Sequence, residues 1–145
     1  MAGYSGSPLW KKLGVRAGAS VTTIDAPPEW GIPYLPDGTE IKSETGERDE
    51  PTPAELIVAF FAELSDLQAS VPGLGRRVFP SGALWVAWPR RAGGHESDIH
   101  EGDIRALALP LGLVDVKVAA LDEDWSGLKL LWRRELRQSP KGTDG

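Results

Sequence analysis

The sequence has no cysteine, a single methionine and two histidines in 145 residues. Without cysteine there are no disulfides, no thiolate metal sites and no cysteine nucleophile. That usage fits a reducing cytoplasm, the location expected for the chain. Long apolar runs are also missing: the longest, Leu56 to Ala62, falls far short of a bilayer span. The opening MAGYSGSPLWKK holds no apolar signal core, so no membrane association is expected. Positive charge is in short supply, with 16 Lys and Arg against 21 Asp and Glu, a net charge of −5 and a pI near 5.0. Duplex-binding proteins carry a basic footprint, so nucleic acid is not an expected partner. No G-x-S-x-G, G-x-x-x-x-G-K-[ST] or H-E-x-x-H occurs, which removes the hydrolase elbow, the phosphate-cradling loop and the zinc-binding helix. His95 and His100 lie in GGHESDIHEGD beside Glu96, Asp98, Glu101 and Asp103, but they match no ligand spacing, and no metal is expected.

What is present reads as an α/β domain. A hydrophobic content of 41% with 26% charge is that of an ordinary globular chain, long enough for one core. Pro8 to Val15 suits a short helix, with Pro at its start and Gly14 at its end. Ala19 to Asp25 reads as a strand. Ala26 to Pro53 is a long link rich in Pro, Gly and charge, with a brief strand near Thr39 to Lys42 and a disordered centre, KSETGERDEPTP. ELIVAFF, Glu55 to Phe61, is apolar throughout, as in a strand covered on both faces. A helix over Glu63 to Val78, interrupted at Val71-Pro72-Gly73, leads to the strand Ala83 to Trp88. Asp98 and Glu101 have the spacing of a capping box for a helix ending at Gly112. Strands over Leu113 to Leu121 and Leu128 to Leu136 follow, joined by the turn DEDWSG, and residues 138–145 form a disordered tail. Alternating strands and helices imply right-handed parallel crossovers, with a last antiparallel strand added at the sheet edge. The expected domain is 1–137.

Three stretches carry a resemblance: GYSGSPLWKKLGV (Gly3 to Val15), GALWVAWPRR (Gly82 to Arg91) and GLVDVKVAALDEDWSGLKLLWRRE (Gly112 to Glu135). They resemble a bacterial family of small domains of unknown function, distantly similar to the S-adenosylmethionine-dependent class I methyltransferases. The resemblance implies a truncated, Rossmann-like, mostly parallel sheet with helices on both faces and a C-terminal antiparallel strand. It implies no reaction.

The turn after the first strand departs from a cofactor-binding pattern. A methyltransferase needs glycines there, because the backbone must turn with positive φ and approach the cofactor without a Cβ in between. Here the turn is Ala26-Pro27-Pro28-Glu29-Trp30, and proline fixes φ and removes an N–H. Glu40 or Glu44 stands where a ribose-binding acid would be sought. The expectation is therefore a non-catalytic Rossmann-like scaffold without cofactor, serving as an interaction or small-ligand-binding module; the alternative is a methyltransferase that binds S-adenosylmethionine through an atypical loop.

Ligands of open α/β sheets bind beyond the carboxyl ends of the strands. That edge should carry Asp25, Glu63, Arg90, Arg91, Asp122 and Trp125, with the two arginines suited to a small anionic ligand. Asp115 and Lys117, two apart on one strand, should share a face and pair with each other or with a neighbouring element. Six tryptophans either fill the core or make a self-association surface, with Trp132 on an exposed edge strand favouring a homo-oligomer.

Overall fold

The computed structural model describes residues 7–45 and 52–137. Four strands run parallel: β1 (Ser20–Ile24), β2 (Glu40–Glu44), β3 (Leu56–Phe60) and β4 (Ala83–Pro89). The helices are α1 (Leu9–Leu13), α2 (Leu64–Val78), α3 (Glu101–Leu111) and the short α4 (Arg134–Arg137). Strands β5 (Leu113–Ala120) and β6 (Trp125–Trp132) close a six-stranded sheet in the order β2-β1-β3-β4-β6-β5. This is the expected mixed α/β sheet. Residues 46–51 of the charged loop centre and the tail 138–145 lie outside the described residues.

The last strand is not at the edge. β6 is inserted between β4 and β5, antiparallel to both, and β5 is the edge. Burial explains the order. Leu128 and Leu130 of β6 are fully enclosed, so this strand needs neighbours on both sides, whereas Val116 and Val118 of β5 are half exposed. Trp132 is accordingly not an edge residue. Its ring meets Phe79 edge-on at 5.2 Å, and its Nε1–H donates to the Gly75 carbonyl at 2.9 Å.

The two sheet faces are covered unequally. Leu67, Val71 and Val78 of α2 and Ile104 and Ala108 of α3 pack on one face with Ile24, Ile57, Leu84, Trp88 and Leu128. The other face buries Leu13 of α1 with Val21, Val58, Phe60 and Trp85, and loop residues Ala26, Trp30, Ile32 and Leu35 complete the cover. Irregular chain thus does on this face what a helix would do. Trp85 and Trp88, three apart, face opposite layers as strand alternation requires.

Four local expectations change. The brief strand near Thr39 is a complete parallel strand to Glu44, because its backbone pairs residue for residue with β1. α2 runs unbroken through Pro72, since its buried stripe outweighs the one backbone bond that proline removes. Asp98 does not cap α3. That helix begins at Glu101, and the Asp103 carboxylate accepts from the His100 N–H at 3.2 Å, while Asp98 accepts from Leu64 N–H at the start of α2, 2.9 Å away. Strand β6 begins at Trp125 and ends at Trp132, shifted from the expected Leu128 to Leu136, because the chain turns into α4.

Asp115 and Lys117 do not share a face. A register shift between them breaks the alternation of β5. Asp115 is bound by Arg105 Nε of α3 at 2.8 Å, and Lys117 Nζ donates to the Lys12 carbonyl of α1 at 3.1 Å, on the opposite layer.

Candidate ligand-binding site

The carboxyl ends of β1, β3 and β4 open on one edge, and the antiparallel β6 brings its first residue to the same place, Pro89 standing opposite Trp125. Asp25 follows β1 directly in the left-handed region, φ 57°, a conformation that Asp tolerates better than most side chains. Its N–H donates to the Glu44 carbonyl at 2.9 Å. From there the chain passes through Pro27 and Pro28 and lays Trp30 over β3. Trp30 meets Phe60 edge-on at 4.8 Å, and Phe60 meets Trp125 in the same way at 5.0 Å. The result is a ladder of three aromatic rings across the strand ends.

Trp30 stands in the wall of two clefts. One, of about 380 Å³, lies between β1, β2 and the loop, lined by Asp25, Pro27, Pro28, Ile32, Leu35 and Ser43 among others. The second, of about 350 Å³, lies on the α1 side and includes Leu9, Lys12, Glu29, Leu121 and Asp122. Both combine apolar walls with polar and charged side chains, as small-molecule sites do.

Of the six residues expected at this edge, Asp25, Asp122 and Trp125 gather around Trp30 and Phe60. Asp122 Oδ1 accepts from the Asp124 and Trp125 N–H groups at 2.7 and 2.8 Å, fixing the turn that feeds β6. Glu63 sits exposed at the start of α2 and lines neither cleft. Arg90 Nη1 donates to the Glu123 carbonyl at 3.3 Å, and Arg91 Nη2 contacts the Ser97 carbonyl and, at 2.9 Å, His100 Nε2. Both guanidinium groups thus bond within and beside the loop around the short 3₁₀ turn Arg91–Gly93. His95 Nε2 lies 2.8 Å from Asp124 Oδ1. Among the described residues no group of three or more His, Asp or Glu is placed to hold a metal ion.

Two features escaped the sequence. Trp30 and Phe60 are 30 residues apart in sequence number and carry no motif; a lone tryptophan in a proline-rich loop is the only trace. The other is Glu44. Its side chain, at the carboxyl end of β2 beside Ile24, is where a ribose-binding acid would be sought. Arg77 of α2 grips it with both Nη atoms at 2.9 Å, and Arg77 Nε donates to the Thr52 carbonyl at 2.6 Å.

Charges away from this edge are perturbed by structural causes. The Arg105 guanidinium holds the Asp115 carboxyl below its ordinary value, mainly through their hydrogen bond. Burial, and then the neighbouring Lys117 and Arg16 charges, lower the Lys129 ammonium from its ordinary value.

No protein-family model matches the chain, and no curated protein matches it in sequence. Solved structures do match in fold. A SAM-dependent methyltransferase from Aquifex aeolicus is 12% identical at a TM-score of 0.58, over 84% of this chain and 86% of that one. A fibrillarin pre-rRNA processing protein from Methanococcus jannaschii is 11% identical at 0.55, over 87% of this chain and 69% of that one. LepI, solved in complex with SAM, is 12% identical at 0.55, with 88% of this chain covering 47% of it. Among the described residues no helix is long and apolar enough to cross a membrane. In fold, this chain is an α/β protein distantly similar to the class I methyltransferases.

Proposed function

We propose that this chain is a non-catalytic, methyltransferase-like module that binds a small molecule at the carboxyl edge of β1 and β3 and transfers no group. The observation that carries the reading is the state of the two elements a methyltransferase would use there. Pro27 and Pro28 occupy the exit of β1, and the acid at the end of β2, Glu44, is held bidentately by Arg77. A bidentate guanidinium–carboxylate pair is among the strongest side-chain contacts, so Glu44 is committed to the fold. The clefts beside Trp30 supply the binding volume. On this reading the chain works in the cytoplasm, independently of nucleic acid.

A second reading is favoured by the fold comparisons: an S-adenosylmethionine-dependent methyltransferase whose cofactor loop is built on Asp25 in its left-handed conformation. Calorimetric titration of the purified protein with S-adenosylmethionine and S-adenosylhomocysteine separates the two. The module reading expects neither heat nor a shift in melting temperature at millimolar ligand. Saturable binding that Asp25→Ala weakens would establish the second reading in its place.

A further inference from the structure

Trp30 Nε1 is the one buried side-chain nitrogen or oxygen among the described residues without a hydrogen-bond partner. The indole nitrogens of Trp85 and Trp132 show what the fold normally provides, donating to the Leu13 carbonyl at 3.1 Å and the Gly75 carbonyl at 2.9 Å. An unpaired donor away from water is costly, and folded proteins rarely keep one without a use.

The segment that carries Trp30 is bracketed by left-handed backbone at both ends. Asp25 and Tyr34 are the described non-glycine residues with positive φ, 57° and 60°, and they bracket Ala26 to Pro33. Tyr34 is also 87% exposed, so no packing repays its conformation. Left-handed conformations at residues other than glycine concentrate at ligand clamps and switch regions. Orphan donor, left-handed ends and two clefts meeting at one indole all fall within the ten residues from Asp25 to Tyr34.

We propose that Trp30 is the recognition donor of this site, and that its ligand is a planar, largely apolar heteroaromatic or carbonyl compound whose acceptor atom takes the hydrogen bond of the indole N–H. The ring would lie along the Trp30–Phe60–Trp125 ladder, where aromatic faces and edges favour a flat guest. Asp25, Glu29 and Asp122 against Lys12 leave the two rims acidic on balance, so an anionic guest is disfavoured. This rests on the reading of the carboxyl edge as a binding site and adds the chemistry of what enters it.

The test uses two probes of nearly identical shape, quinoline with a ring-nitrogen acceptor and naphthalene without one. In a ¹H–¹⁵N spectrum the Trp30 indole signal is assigned by its loss in Trp30→Phe. Quinoline should move that signal downfield and saturably, and should bind about tenfold more tightly than naphthalene, the worth of one hydrogen bond. In Trp30→Phe the preference should fall to about onefold while naphthalene affinity stays unchanged. Equal affinities in the wild type, binding that moves a different indole, or no binding of either probe would each overturn the proposal. The wild-type spectra decide even if Trp30→Phe folds poorly. Failure here leaves the S-adenosylmethionine titration, and so the non-catalytic reading, to stand or fall by itself.

Discussion

Cutting the Glu44–Arg77 pair is the sharpest perturbation of the front half of the sheet. Both side chains are deeply enclosed, Arg77 5% and Glu44 10% exposed, with two contacts of 2.9 Å. At an effective dielectric constant of about 20, unit charges at that separation attract by about 6 kcal/mol. Removing two ions from water costs several kcal/mol each, so the intact pair contributes little net stability. Losing one member is different. In Glu44→Leu the guanidinium stays buried with only the Thr52 carbonyl to accept from it, a loss expected at about 3–5 kcal/mol. For a chain of this length that lowers the melting temperature by about 10–15 °C. The double change Glu44→Leu with Arg77→Met removes both charges and should cost less than about 1 kcal/mol. Thermal and urea unfolding followed by circular dichroism give all three values. A single substitution costing under about 1 kcal/mol, or a double equal to the sum of the singles, would refute the argument that burial makes the pair all-or-none.

Other expected outcomes are as direct. Because Arg105 depresses the Asp115 carboxyl, the unfolded chain binds more protons in acid, so this contribution is complete above pH 4 and is lost as pH falls through the lowered folded value. Asp115→Asn should therefore flatten the acid limb of the stability curve and leave its slope near pH 8 unchanged. Lys129 is destabilising when charged, so Lys129→Met should raise the melting temperature at pH 7, by an amount that shrinks as pH approaches the ordinary lysine value of 10.5. A Cβ on Gly127 would stand 2.9 Å from the Trp85 ring and 3.0 Å from Leu121, so Gly127→Ala should cost about 1–3 kcal/mol in urea unfolding.

Much of the fold was legible because its central strands obey local rules. LIVAF and ALWVAW are apolar on both faces, and both became covered parallel strands. The signals that misled were those settled by distant neighbours. VDVKV and LKLL read as similar strands, and the second is interior, with Leu128 and Leu130 enclosed, where Val116 and Val118 of the first are half exposed. The shared face of Asp115 and Lys117 assumed an unbroken alternation, which a bulge of one residue reverses, while the alternative of pairing with neighbouring elements holds for both, through Arg105 and the Lys12 carbonyl. Asp25, Asp122 and Trp125 do come to the carboxyl edge, where reading strand ends puts them, a rule about direction that sequence carries well. Trp30 and the Glu44–Arg77 pair escape that rule, because each depends on where a loop without repeating pattern comes to rest.

The position of β6 also dictates when the sheet can form. The strand that comes last in the chain sits between two that precede it, so β4 and β5 are joined only through β6. A ribosome-bound chain that has emerged only as far as Leu121 therefore presents the open edge of β4, rich in apolar side chains, and a β5 hairpin arm with nothing to join. Until the final strand is free, β4 has no partner on that side, and an unpaired edge of this kind is open to mispairing.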